Sequence, residues 1–549
     1  GGEKVASVFS NIQGPKVRTE FEANWALQGT PPDNTLAISD DGIIVSAINS
    51  NIAYYDESGS LIQKKNFYDF FNNADLTGKI FDPILMYDPA EDRFIFVVLH
   101  GSTSSSSRIL VCFSKTNDPT DGWFIYTFKF SDIKPTVYGN KWIDYPRTGI
   151  SDKELFITGN VFYNNDGGFY KPVMLQIDKM AGYQGRTLNY MNWDNIRDAN
   201  NDLPFTLHPI SYGHHGTING GIYLISNDYK GGNRIHFYEV TGDLGSNPEI
   251  KAVSVKTKDY RLPSDAYQPY TGSSSPGLMN TGDCRIQTGF FHNNTIHFVF
   301  NSRFKSTANA GFHYGRMDVH SHKLDIIEIG GYGQDYAFPS IASSSPNGSP
   351  EKDVMIAFLV SNNDMYPGVG ALRVDGDMNV SQPVVIKEGL VHVDVISGNE
   401  RWGDYSGIQR KHNTGAPSLW LSGCYGSHIS DYGSFPPIMI RNNYKTWIAE
   451  IADNDITGGG EKQRKQKVSV FPNPVTDHFQ VQFEQKNSGE LSVVLFDLQG
   501  QTVKVFFNDH MPAGNVGLSF NKAELRQGAY VLKIYLDGKE MLARKVMVK

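Results

Sequence analysis

Five aspartates, Asp33, Asp82, Asp144, Asp283 and Asp404, each sit in a short polar or proline-bearing phrase that opens an apolar run. The phrases are 31–33, 81–83, 143–146, 282–284 and 402–406; His208-Pro209 and Phe338-Pro339 hold the same place in two further runs. Carboxylates gathered at one point repel unless a cation sits among them, and calcium prefers such oxygen ligands. The alternative is that each aspartate caps a turn or receives the amides of a neighbouring segment. Spacing alone leaves both open.

Other chemistries find less support. His208, His214 and His215 lie close in sequence, as do His320 and His322, but HExxH is absent and no third ligand falls at a telling distance. GxSxG does not occur, which argues against a serine hydrolase. The Asp-box of sialidase-like enzymes, SxDxGxTW, is missing from every run, and Arg147, Arg285, Arg303 and Arg401 cannot be assembled into a carboxylate-binding triad from spacing. Tyr212, Tyr260, Tyr267, Tyr270, Trp402 and Tyr405 could stack on sugars or anchor a protein partner, or pack between sheets. Cys112, Cys284 and Cys424 are far apart with no CxxC, and read as small buried hydrophobes.

The elements that must position these residues are short and repeated. Aromatics at 12% and 54 glycines favour strands and tight turns over helices. Apolar runs come in groups: 35–39, 42–48 and 51–56; 84–87, 93–99 and 109–114; 147–150, 154–158 and 173–178; 210–212, 221–226 and 234–240. The series continues at 285–291, 295–301 and 312–318, then 338–342, 353–360 and 369–374, then 405–409, 418–423 and 446–451. Groups begin roughly 50–75 residues apart, a period that predicts a repeated antiparallel sheet. A small sheet cannot cover both of its faces, whereas radial stacking of about seven buries them and leaves only short edges. The expected fold is all-β, a β-propeller with seven blades ahead of six or eight; the rival is a large β-sandwich or jelly roll. In a propeller the first strand of each blade lines the central channel, so the aspartate phrases belong at a channel mouth.

Residues 31–38 and 44–56, the stretches 82–94 and 116–123, and 401–407 with the closing 447–451 resemble a group of uncharacterised secreted bacterial propellers. That resemblance implies fold and export and carries no assigned reaction.

Residues 452–467, with three consecutive glycines and a basic run, read as a flexible linker between a propeller with an N-terminal lead-in at 1–451 and a domain at 468–549. In the latter, Pro472, Asn473 and Pro474 halt a first strand, because proline removes a ladder donor. Alternation returns at 479–483, 491–498, 502–506, 528–536 and 541–548, with turns at Gly500 and at Asp537-Gly538: a small β-sandwich of about seven strands. The ordered landmarks Pro472-Asn473-Pro474, then 495–503 with Asp497 and Gly500, then 528–534 with Gly528 and Tyr530, then 545–549 with Lys545, resemble the C-terminal sorting domain of type IX secretion. The resemblance implies Bacteroidota-type export through the periplasm to the cell surface or medium. It also implies recognition by the translocon and its outer-membrane shuttle protein, cleavage in or near 452–467 by a sortase, and attachment to anionic lipopolysaccharide. An unpaired terminal strand would serve as a handle, since strand addition uses free edge groups.

Charge agrees with life outside the cell. Residues 1–461 carry a balance of −13, 462–467 add +4 and 468–549 add +1, giving −8 overall. An acidic body repels polyphosphate, so nucleic acid is not expected as a partner. No run approaches the ~20 apolar residues of a membrane helix, and the opening Gly1-Gly2-Glu3, without a charged and apolar leader, reads as an end left by processing. The leading expectation is a non-enzymatic surface propeller used for binding or adhesion. The alternative is a secreted glycan-degrading hydrolase, and a third class is a structural surface protein. Deleting 468–549 is expected to leave a folded protein stranded in the periplasm; fractionation that still finds the truncated chain on the cell surface would refute the sorting assignment.

Overall fold

The computed structural model describes residues 9–27, 29–165, 167–270, 277–331, 333–412, 414, 416–431, 438–453, 469–471, 475, 477–485, 488–497, 501–522 and 525–548. It divides into two compact units, Gly1–Ile456 and Thr457–Lys549.

The first unit contains seven four-stranded antiparallel arrays among the described residues. Blade 1 is Thr35–Ile38, Ile44–Ile48, Asn51–Tyr55 and Leu61–Asn66; blade 2 is Ile80–Asp88, Arg93–His100, Arg108–Ser114 and Trp123–Lys129. Blade 3 is Lys141–Ile150, Glu154–Tyr163, Phe169–Asp178 and Tyr190–Trp193; blade 4 is His208–Tyr212, Gly221–Asn227, Gly231–Thr241 and Glu249–Arg261. Blade 5 is Ile286–His292, Thr295–Arg303, Ala310–Asp318 and Leu324–Ile329; blade 6 is Asp335–Ser343, Val354–Ser361, Gly368–Val374 and Val384–Lys387. Blade 7 takes Gly407–Lys411, Ser418–Asp431 and Ile438–Ala452 from the end of the unit and its outer strand, Lys16–Trp25, from the beginning.

First strands touch first strands from blade 1 round to blade 7, and the blade 7 strand touches that of blade 1, so the ring is closed. The unit is a β-propeller. Blades 4 and 5 come closest of all, their first strands pairing in parallel through Ser211–Phe290 and Tyr212–Phe291. Inner strands bury both faces, since each sheet is covered by the blade on either side. That is why Thr35–Ile38 and Phe94–His100 are apolar almost throughout instead of alternating. Val45, Ala47, Ile52 and Tyr54 of blade 1 share one core with Leu85, Tyr87, Phe94 and Phe96 of blade 2. The outer strands are wet: Leu61–Asn66 is largely exposed, so its residues give little hydrophobic signal. The closing strand Lys16–Trp25 falls in what reads by sequence as a lead-in; its only warning is the polar alternation around Val17, Thr19 and Phe21. It pairs antiparallel with Ile438–Ala452, Phe21 against Ile448, and fastens the two ends of the ring.

The first strands share a kink. Asp33, Asp82, Tyr145, Thr206, Gly282 and Phe338, each at or just before the first strand of blades 1 to 6, have φ of 47°, 54°, 55°, 60°, 78° and 51°. Residues of blades 2, 3 and 6 flank a register shift at this point. At three of these kinks an asparagine side chain from the preceding blade accepts the N–H of the left-handed residue. Asn49 Oδ1 accepts from Asp82 N (2.7 Å), Asn160 Oδ1 from Thr206 N (2.9 Å) and Asn301 Oδ1 from Phe338 N (2.8 Å).

In the second unit, Ser469–Phe471, His478–Gln485 and Gly514–Asn521 form one sheet, and Thr502–Met511, Gly489–Phe496, Gly528–Leu536 and Lys539–Val548 the other. Phe479, Val481 and Val516 of the first meet Leu491, Val493, Leu532 and Ile534 of the second in one core. Asp537 and Gly538, at φ 48° and 73°, make the two-residue hairpin before Lys539–Val548. That last strand lies at a sheet edge, with one full partner and a single bridge from Val475. Asp497 Oδ1 accepts from Gln501 N (2.8 Å), the turn expected around Gly500. Pro472, Asn473, Pro474, Gly500 and most of 452–467 lie outside the described residues, as does the Lys545 side chain.

Replacing Asn301 by leucine keeps its bulk but strands the buried Phe338 N–H. The expected loss is ~1–3 kcal/mol, read from urea unfolding of the wild-type and variant chains.

Candidate functional site: the acidic mouth

The kinks gather carboxylates from distant parts of the chain. Asp33, Asp82 and Asp404 each offer an oxygen, and the three oxygens lie within 4.8 Å of one another. Asp144 joins them through a hydrogen bond with Asp82. Asp33 Oδ1 accepts from Asp404 N (2.8 Å) and its Oδ2 from Asn49 Nδ2 (2.5 Å), tying blades 7 and 1 together. Asp283 stands apart in role: its two oxygens hold Arg285 Nε (2.8 Å) and Nη2 (2.6 Å), and one also accepts from Arg285 N (2.9 Å). Asp283 thus caps its own turn, whereas Asp33, Asp82 and Asp404 converge with Asp144 beside them.

Around these acids stand cations that sequence spacing could not assemble. Arg401 Nη2 lies 2.5 Å from Asp404 Oδ2. A long excursion from blade 4 helps to hold it, because Met279–Asn280 pairs in parallel with Glu400–Arg401. The Arg285 guanidinium stacks 4.2 Å from the Tyr145 ring centroid, and Arg147 takes the same ring at 4.2 Å and Tyr405 at 4.4 Å. The recess so formed has a volume of about 380 Å³ and includes Lys79, Trp142 and Tyr145 in its wall. Tyr145, Arg147 and Tyr405 form a layer at its floor: Tyr145 faces the recess, while Arg147 and Tyr405 line the central channel beyond.

Burial and crowding govern the protonation of the acids. Burial first, and then the Asp404 charge, push the Asp33 carboxyl up to about 7. Burial and the charges of Asp144 and Asp33 raise Asp82 well above the ordinary carboxylate range, and burial raises Asp144. A hard cation would relieve the same repulsion, and an all-oxygen set of this kind fits calcium in donor type.

The remaining candidates scatter. His208 and His214 are buried and His215, His320 and His322 are not. Trp402 and Tyr405 are buried just before the first strand of blade 7, enclosed on both sides, and Tyr260 is buried in the outer strand of blade 4 against Phe300 of blade 5. Tyr267 is exposed. All three cysteines are free and buried, as small hydrophobes would be.

Residues 469–549 match the family described as Secretion system C-terminal sorting domain. This segment is a type IX sorting domain. The chain is exported by that route to the cell surface or the extracellular space, and no helix among the described residues is long and apolar enough to cross a membrane. No curated protein sequence matches the chain. Among solved structures, Trypanosoma rangeli sialidase is similar at 8% identity and a TM-score of 0.36, over 90% of this chain and 86% of that one. The phage phi92 endosialidase is similar at 8% identity and a TM-score of 0.33, over 83% of each chain. The polysaccharide lyase Uly1 is similar at 10% identity and a TM-score of 0.34, over 52% of this chain and 58% of that one. Likeness at this level carries no reaction across.

The raised Asp33 carboxyl has a consequence for stability. Between its unfolded value near 3.8 and its folded value of about 7, the folded chain holds a proton that the unfolded chain has lost. Stability contributed by this group is full below about pH 4, falls as pH rises to about 7 and is level above. Asp33→Asn is expected to flatten that part of the profile, measured as the urea midpoint across pH 4–8; an unchanged slope would assign it elsewhere.

Proposed function

We propose that this exported propeller is a surface binding or adhesion protein whose ligand enters the acidic mouth. The observation that carries the reading is the convergence of Asp33, Asp82 and Asp404 within 4.8 Å, with Asp144 beside them, in a recess floored by Tyr145. The arginines there do not reach out as free anion clamps: Arg285 is held by Asp283 and Arg401 by Asp404. The recess suits a ligand that brings positive charge, and calcium is the cation whose preferences it meets best. Asp33, Asp82, Asp144 and Asp404 would supply the oxygens, and Asp283 would act behind them by fixing Arg285.

A second reading rests on a different feature of the same cluster. A carboxyl held up to about 7 beside other carboxylates is the arrangement of a general acid with a nucleophile or base. Retaining glycosidases space such groups ~5 Å apart. Secreted glycan hydrolysis is accordingly the alternative function.

On the export side, the sorting domain is the segment for the translocon and its shuttle protein to grip. Sortase cleavage within 452–467 and transfer to anionic lipopolysaccharide would complete surface display in a Bacteroidota-type envelope.

One set of measurements separates the readings. Calcium chloride is expected to raise the melting temperature of the full chain, and Asp82→Asn is expected to abolish the rise. A glycan array and a panel of chromogenic glycosides complete the test. Binding without turnover supports the first reading, and turnover lost in Asp33→Asn would replace it with the second.

A further inference from the structure

Behind the tyrosine layer, the channel has the opposite chemistry. Its cavity of about 210 Å³ is lined by Arg147, His208, Gln287, Arg410 and His412, and by no aspartate or glutamate. All five side chains are at least nine-tenths buried. Each also presents one polar atom with no hydrogen-bond partner among the described residues: Arg147 Nε, His208 Nδ1, Gln287 Oε1, Arg410 Nε and His412 Nδ1. Five such atoms among the residues around one small cavity are uncommon, since buried polar groups are nearly always paired.

The charge is also unbalanced. Arg410 donates through Nη1 to the carbonyls of Ser343 (2.9 Å) and Ser345 (2.6 Å), and through Nη2 to Asn347 Oδ1 (2.7 Å). All three acceptors are neutral, and the ion pairs found among the described residues do not include this guanidinium. Arg147 is sandwiched between two tyrosine rings and feels the Asp82 charge only from the far side of that layer. Burial, with Arg147 beside one ring and Arg410 beside the other, holds His208 and His412 down to about 3, so both are neutral near pH 7 and each keeps an N–H to donate. A buried cation without a counter-charge is costly, and an anion entering the cavity would repay that cost.

The rest of the wall mixes apolar residues, Leu36, Leu85 and Phe290 among them, with hydroxyl-bearing ones such as Ser211, Thr288 and Ser340. The volume falls below the ~300 Å³ at which drug-sized pockets begin, so the occupant is small. We infer that this end of the channel is a second ligand site, separate from the acidic mouth, that binds a small organic carboxylate, its acid group at Arg410 and its body against the apolar residues of the wall.

Titration calorimetry on the full chain tests this with butyrate and glucuronate, each against its neutral counterpart, 1-butanol and glucose. At least one acid is expected to bind saturably below about 20 mM, at least about tenfold more tightly than its counterpart, and about tenfold more weakly to a folded Arg410→Gln chain. Asp33→Asn, which alters only the acidic mouth, is expected to leave acid binding unchanged. Failure of both acids to bind, equal binding of the neutral counterparts, or full binding by folded Arg410→Gln would overturn the inference. Should that variant not fold, the acid-against-neutral comparison on the wild-type chain decides alone.

Discussion

Between neighbouring blades, an asparagine takes the one backbone N–H that the ladder does not use. Asn49, Asn160 and Asn301 each accept from a left-handed residue in the first strand of the next blade. The bond closes a polar gap inside an apolar stack, where an unpaired donor would cost more than a paired one gains. It thereby makes the kink tolerable, and the kink is what brings the start of each first strand to the axis. Asp82 is itself one of these left-handed residues, and Asp144 directly precedes another, Tyr145. The chemistry of the mouth is therefore built on the device that joins blade to blade.

The channel that results is polarised. Acids crowd the end where the first strands begin, and guanidinium and imidazole groups line the part beyond. Tyr145 and Tyr405 stand between, with Arg147 held against both rings. Their phenol oxygens are engaged as well: Tyr405 donates to the Pro83 carbonyl (3.0 Å), and Tyr145 to the Asp404 carbonyl (3.3 Å). The layer binds blades 2, 3 and 7 together across the axis and keeps two opposite electrostatic environments apart.

Closure and export are handled by separate parts of the chain. Lys16–Trp25 completes blade 7, so the ring is fastened by ladder hydrogen bonds between segments far apart in sequence. The sorting domain keeps its own core around Phe479, Val493 and Ile534. Among the described residues Lys539–Val548 is the edge strand of its sheet, and a sheet edge is where strand addition by a partner takes place.

The grouping of apolar runs, the turn residues between them and the ordered landmarks of 468–549 were enough to read a propeller followed by a sorting domain. Those signals are local: burial on both faces leaves continuous apolar runs, and a hairpin needs Asp537-Gly538 wherever it occurs. Outer strands such as Leu61–Asn66, and the closing strand Lys16–Trp25, were hidden because half-wet edges carry no strong hydrophobic pattern. The aspartates could be named from their phrases, but not which four would converge or that Asp283 would turn to Arg285 instead. The stacking of Arg147 on Tyr405 and the seating of the Arg410 guanidinium on the Ser343 and Ser345 carbonyls join positions that only ring closure brings together. Periodicity records what each strand must bury; which side chains meet at the axis depends on how seven sheets rotate round it, and that is settled in three dimensions alone.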